Sequence, residues 1–164
     1  MKLSVVVTYP EALDQPAKTV NAAASVGLLA AARLWHEKFL PMHFREGASG
    51  RYGYRKRSVK YMIRKRRRRG HSRPLVWTNQ MREMLTRERQ ESALKNKARA
   101  SIRMRGPRYL RSEGRPSAGQ PDMAREIKTT IGSELQAMAK ATHKAATAEL
   151  NRLKDGKKRT KRLS

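Results

Sequence analysis

The chain has 164 residues, with 39 Lys and Arg against 13 Asp and Glu, a formal net charge of +26, and no cysteine. Such a balance demands an anionic counterpart, whether nucleic acid, an anionic membrane surface or an acidic protein. The missing thiols exclude disulfides and Cys-based zinc sites and fit a reducing compartment. A hydrophobic fraction of 38%, against roughly 45–50% in average globular proteins, leaves room for only a small core, one expected to be completed by neighbouring subunits.

In chain order, Leu3 to Tyr9 is rich in β-branched residues and closed by Pro10, so it reads as a strand. Asp14 and Pro16 open a helix expected to run to about Leu40 and stop before Pro41. Its periodic face is Val20, Ala24, Leu28, Ala31, Trp35 and Phe39, and its small apolar middle suggests packing on several sides. His43 to Tyr54, with three glycines, reads as a loop or irregular hairpin. Ser58 can cap a helix from Val59 to Arg69 that Gly70 terminates, with Val59, Met62, Ile63 and Arg66 sharing a face. Pro74 to Trp77 reads as extended, and Gln80 to Arg87 as a second short helix.

Ala98 to Arg105 alternates between Ala98, Ala100, Ile102 and Met104 on one face and Arg99, Ser101, Arg103 and Arg105 on the other, a half-exposed strand with a cationic outer row. Gly106 to Pro121, with three prolines and three glycines, is expected to be a long flexible loop. Asp122 then caps the longest helix, Met123 to about Leu153, striped by Ile127, Ile131, Leu135, Met138, Ala141, Ala145 and Ala148. The tail from Lys154 is basic and expected to be disordered unless bound. The sum is an α+β fold: a small mixed sheet flanked by long N- and C-terminal helices, with basic loops, one domain over 1–153 and a basic tail over 154–164. No stretch approaches the roughly 18–20 apolar residues that span a bilayer. The run Leu3 to Val7 is also too short for a signal peptide, so the chain reads as unprocessed and made in the cytoplasm.

The segment Arg51 to Arg73 concentrates the charge, with twelve Arg or Lys and no carboxylate. Arg64, Lys65, Arg66, Arg67, Arg68 and Arg69 are contiguous, and like charges so close repel unless an anion lies opposite. With Lys157, Lys158, Arg159, Lys161 and Arg162 of the tail they are the candidate polyanion contacts. Charge runs are commonly solvated faces or localisation signals. Here, however, basic residues also populate the strand and the long loop, at Arg99, Arg103, Arg105, Arg108, Arg111 and Arg115. Tyr52, Tyr54 and Tyr61 interleave with the cations and could stack on bases, or anchor the segment to its own domain. His36, His43, His71 and His143 lack metal-ligand spacing, and neither GxGxxG nor GxxxxGK[ST] occurs. No catalytic residue, metal or cofactor is assigned, and the chain is expected not to be an enzyme.

From His43 to Arg87 a compound pattern stands out: His43-Phe44 with Gly47, then Tyr52-Gly53-Tyr54, Tyr61 with Ile63-Arg64-Lys65, Gly70-His71, Pro74-Leu75-Val76, and Thr78 with Arg82. This pattern resembles the small tail-completion or head–tail joining proteins of tailed bacteriophages. In related families the turn after the Pro-Leu element is usually Thr-Gly-x-Leu-Arg, where this chain has Thr78-Asn79-Gln80-Met81-Arg82. Asn keeps access to left-handed angles and Met keeps an apolar contact. The resemblance implies a non-enzymatic structural protein at the virion neck. It would be made in the host cytoplasm and form a ring of its own copies, sixfold or twelvefold, against portal, adaptor or tail proteins, with genome DNA possible in the channel and no membrane. Family-motif positions carried over are Tyr54, Tyr61, Gly70, His71, Pro74, Leu75, Thr78 and Arg82. Two other readings fit the charge: an RNA-binding ribosomal or ribonucleoprotein component, and a phage DNA-binding or packaging accessory protein.

Overall fold

The computed structural model describes residues 5–10, 16–76, 78–87, 89–107, 122–155 and 158–163. They are mixed helix and strand, mostly helical, with six α-helices and two separate two-stranded sheets among the described residues. The order is β1 (Val5–Pro10), α1 (Pro16–Leu34), α2 (Ala48–Arg51), α3 (Val59–Arg69), α4 (Gln80–Arg87), β2 (Arg89–Leu94), β3 (Arg99–Met104), α5 (Met123–Lys128), α6 (Gly132–Lys154) and β4 (Lys158–Leu163). The sequence reading has one domain over 1–153. The backbone groups into two compact units: Met1–Ala32, Glu91–Ser101 and Met138–Ser164 form one, and Arg33–Gln90 with Ile102–Ala137 the other.

In the first unit β1 and β4 pair antiparallel, Val5 opposite Leu163 and Pro10 opposite Lys158. The basic tail is thus a paired strand over Lys158–Leu163, not a free arm, because a β-branched strand supplies its hydrogen-bonding edge. The buried residues of α1 are small: Ala23, Ser25 and Gly27. Within α1 the expected stripe is not the buried face, since Val20 (57% exposed) and Leu28 (40%) face outward, whereas its last members do turn inward, Phe39 buried and Trp35 packed on the core of the second unit. Close approach explains the choice, because a Cβ on Gly27 would lie 2.6 Å from the Thr142 carbonyl oxygen and 3.1 Å from the Ala146 Cβ of α6. The β2–β3 hairpin turns through residues 95–98, closed by the Lys97 amide donating to the Leu94 carbonyl (3.1 Å). Both strands alternate in burial, so Ala100, Ile102 and Met104 point inward and Arg99, Ser101 and Arg103 outward, as read from sequence. Ala98 lies in the turn and is exposed.

The second unit holds the larger apolar core: Leu40, Phe44, Ala48, Tyr52, Tyr54, Leu75, Val76, Met81, Leu85 and Ile127, with Trp35, Met104 and Met123 packed against it. The first helix does not continue in α geometry to Leu40. A π-helical turn (Trp35–Phe39) and a 3-10 turn (Leu40–Phe44) follow α1, and the Leu40 amide donates to the Trp35 carbonyl. Pro41 has no amide hydrogen to give an α-helix, and its ring would strike the preceding turn. Widening and then tightening the backbone carries the chain past it and turns His36, Phe39, Leu40, His43 and Phe44 inward.

The expected loop over His43 to Tyr54 contains the short helix α2, entered through Gly47 at φ +82° and left through Gly53 at φ +63°. Pro74 and Leu75 form a turn where an extended segment was expected; Leu75 takes φ +57° and puts its side chain into the core with Val76. The long C-terminal helix is two. Asp122 does cap its start, accepting from the Arg125 amide (2.9 Å), but the backbone turns extended at Thr129 and α6 begins only at Gly132. The β-branched run Thr129-Thr130-Ile131 disfavours helix, and the break leaves Leu135 53% exposed while Ile127 is buried. Of the expected loop over 106–121, Gly106 and Pro107 are described and buried; the rest lies outside the described residues.

Candidate polyanion interface

The basic run is helical between the two stops expected of it. The Ser58 hydroxyl accepts from the Tyr61 amide (3.3 Å), and Gly70 closes α3 in the left-handed region at φ +69°, its amide donating to the Arg66 carbonyl (2.9 Å). Four arginines in the last turn face the negative end of the helix dipole. Lys65 is the buried residue of α3, whereas Val59 (73%) and Ile63 (52%) are exposed.

Lys65 therefore leaves the set of polyanion contacts. Its ammonium donates to the Arg73 carbonyl and lies 5.6 Å from the centroid of the Tyr61 ring. Burial, then the positive charges of Arg57 and Arg73, lower its pKa. Arg64, Arg66, Arg67, Arg68 and Arg69 are exposed along the same helix. Arg66, Arg67 and Arg68 make no ion pair among the described residues. Of the tail cations, Lys158, Arg159, Lys161 and Arg162 lie on β4 in the other unit, opposite Pro10, Tyr9, Val7 and Val6, and Lys157 lies outside the described residues.

Two of the cations before α3, Arg51 and Arg57, are answered from within the chain. Arg57 forks onto Glu126, Nη1 to Oε1 at 2.9 Å and Nη2 to Oε2 at 2.6 Å. Arg51 reaches the buried Glu134 at 3.3 Å, and the same oxygen accepts from the Tyr52 hydroxyl at 2.7 Å. The tyrosines thus anchor their own unit. Tyr52 stacks on His43, with centroids 3.9 Å apart and planes 11° from parallel, and the Tyr54 hydroxyl is hydrogen-bonded to His43 Nδ1. Burial, then the bond to Glu134, raises the Tyr52 pKa to about 12, and burial raises that of Tyr54 further. His43 has its pKa lowered, by burial first, with Glu134 opposing.

His36, read from sequence as a surface or packing residue, is buried with both ring nitrogens engaged. Nε2 lies 2.9 Å from the Leu85 carbonyl and so carries the hydrogen, leaving Nδ1 to accept from Arg89 at 3.3 Å. Arg89 also pairs with Glu37 at 2.7 Å. Among the motif positions, Tyr54 and Leu75 are core, Tyr61, His71 and Pro74 are half-buried, and Thr78 and Arg82 are exposed. No cluster of His, Asp and Glu among the described residues could hold a metal ion, and no described helix is long and apolar enough to cross a membrane. Comparison with family models, with characterised proteins and with solved structures finds no match.

Proposed function

We propose that this chain is a structural virion protein of a tailed bacteriophage, acting at the head–tail junction as a tail-completion or connector component, without catalytic activity. The observation that carries the reading is where the resembling motif falls. Phe44, Tyr52, Tyr54, Leu75 and Val76 share one core, His43 stacks within it, and Gly47, Gly53 and Gly70 hold the left-handed turns around it. Motif residues that go into folding suit a non-catalytic building block, whose role would rest on its architecture. Copies of the chain would pack in a ring, with portal, adaptor or tail proteins above and below, and Arg66 to Arg68 would meet DNA or an acidic neighbour.

Mass spectrometry of density-banded virus particles and of the ribosome pellet from one source lysate tests this reading. Recovery in virions at a few to a dozen copies each is the expected result. Recovery with ribosomes would overturn it in favour of an RNA-binding role.

A further inference from the structure

Beside α3 in the second unit lies a cleft of about 600 Å³, in the range of ligand-sized pockets. Its wall includes carbon from Met62, Pro74, Leu75 and Met123, and its cations include Arg55 and Lys56. Neither Arg55 nor Lys56 forms an ion pair among the described residues, and both are exposed. The other two cations among the described lining residues are already engaged, Arg57 by Glu126 and Lys65 by the Arg73 carbonyl. The cleft therefore offers an apolar wall, with two uncompensated positive charges among its lining residues.

We infer that this cleft docks an acidic peptide segment of a partner protein, with one apolar side chain seated against Met62, Pro74, Leu75 and Met123 and flanking carboxylates on Arg55 and Lys56. Methionine suits the task because its unbranched thioether adapts to the shape that enters. At this cleft a second copy of the chain is the poorer occupant, because its 13 carboxylates stand against 39 cations and no two of them are adjacent, so it has no acidic run to offer. The wall decides against nucleic acid. A phosphate backbone gains nothing from thioether and proline carbon, and Tyr61, the one aromatic ring among the described lining residues, already has the Lys65 ammonium 5.6 Å from its centroid.

The test is a titration of the full chain, labelled with ¹³C at the methionine methyls, with the peptide acetyl-Glu-Glu-Leu-Glu-Glu-amide up to millimolar concentration. Met→Leu variants assign the resonances. The Met62 and Met123 methyls are expected to move while those of Met84 and Met138 stay. Affinity is expected to fall roughly tenfold when the peptide leucine becomes alanine, and again in Arg55→Ala/Lys56→Ala. Because the apolar contact is probed in the peptide, the affinity comparison itself uses no core variant, and the Met→Leu changes, which keep apolar volume, serve only for assignment. Unmoved Met62 and Met123 methyls, equal affinity for the alanine peptide, or movement caused instead by a short oligothymidylate would each overturn the assignment. None of these outcomes depends on whether the protein is recovered from virions.

Discussion

At Lys65 a charge that composition counts as surface is held beneath α3, donating to a backbone carbonyl, while Arg66 to Arg68 stay outside. Lys65→Met should keep the packing of the stem and change stability by no more than about 1 kcal/mol, since the loss of one hydrogen bond is set against the removal of a buried charge. It should leave retention on nucleic acid unchanged. Arg66, Arg67 and Arg68 changed together to Gln should instead flatten the plot of log K against log salt, by up to about 0.7–0.9 for each phosphate no longer neutralised, with the helical circular dichroism intact. Filter retention across a salt series measures both.

His43 makes a second residue-scale prediction. Its folded pKa lies below the unfolded value of about 6.5, so in the interval between them the unfolded chain binds more protons. Stability is then complete above about pH 6.5 and declines as pH falls through that interval. Urea unfolding at pH 7.5 and pH 5.5 should show the decline, and His43→Gln should shrink it. His71, half-buried and likewise lowered, by burial first and then by Arg73 and Lys65, leaves a residual slope.

On the scale of elements, Gly27 is the sharpest test of how α1 meets α6. Gly27→Ala places a methyl carbon 2.6 Å from the Thr142 carbonyl oxygen, and a loss of about 1–3 kcal/mol is expected from overpacking. Gly50→Ala meets nothing within 4 Å and should stay within about 0.5 kcal/mol of the parent. Thermal melts of the two variants separate steric crowding from backbone freedom. The same close approach explains what sequence patterning could and could not deliver. Helix α3 was legible to the residue because Ser58 and Gly70 act locally, and β3 because its alternation is strict. The buried face of α1 was not, because hydrophobicity points to Val20 and Leu28 while the geometry rewards the residue with no side chain. Strand β2, built of Arg-Gln-Glu-Ser-Ala-Leu, has weak strand propensity of its own and exists as the partner of β3. Which carboxylates would answer Arg51 and Arg57 was equally hidden, because Glu134 and Glu126 lie 83 and 69 residues away.

For the molecule as a whole, the second unit is drawn from two stretches of chain and the first from three, the first stretch carrying β1 and the last β4. Synthesis runs in one direction, so the partner of Val5–Pro10 emerges about 150 residues later, roughly 8–30 s at ordinary elongation rates. Throughout that interval a β-branched strand waits with an open edge, the kind of segment that pairs with whatever edge comes near. A chain cut before Lys158 keeps that edge open permanently. It should pellet from extracts that leave the intact protein in the supernatant, and the tail's arginines and lysines would then serve first as the closing stitch of a newborn chain.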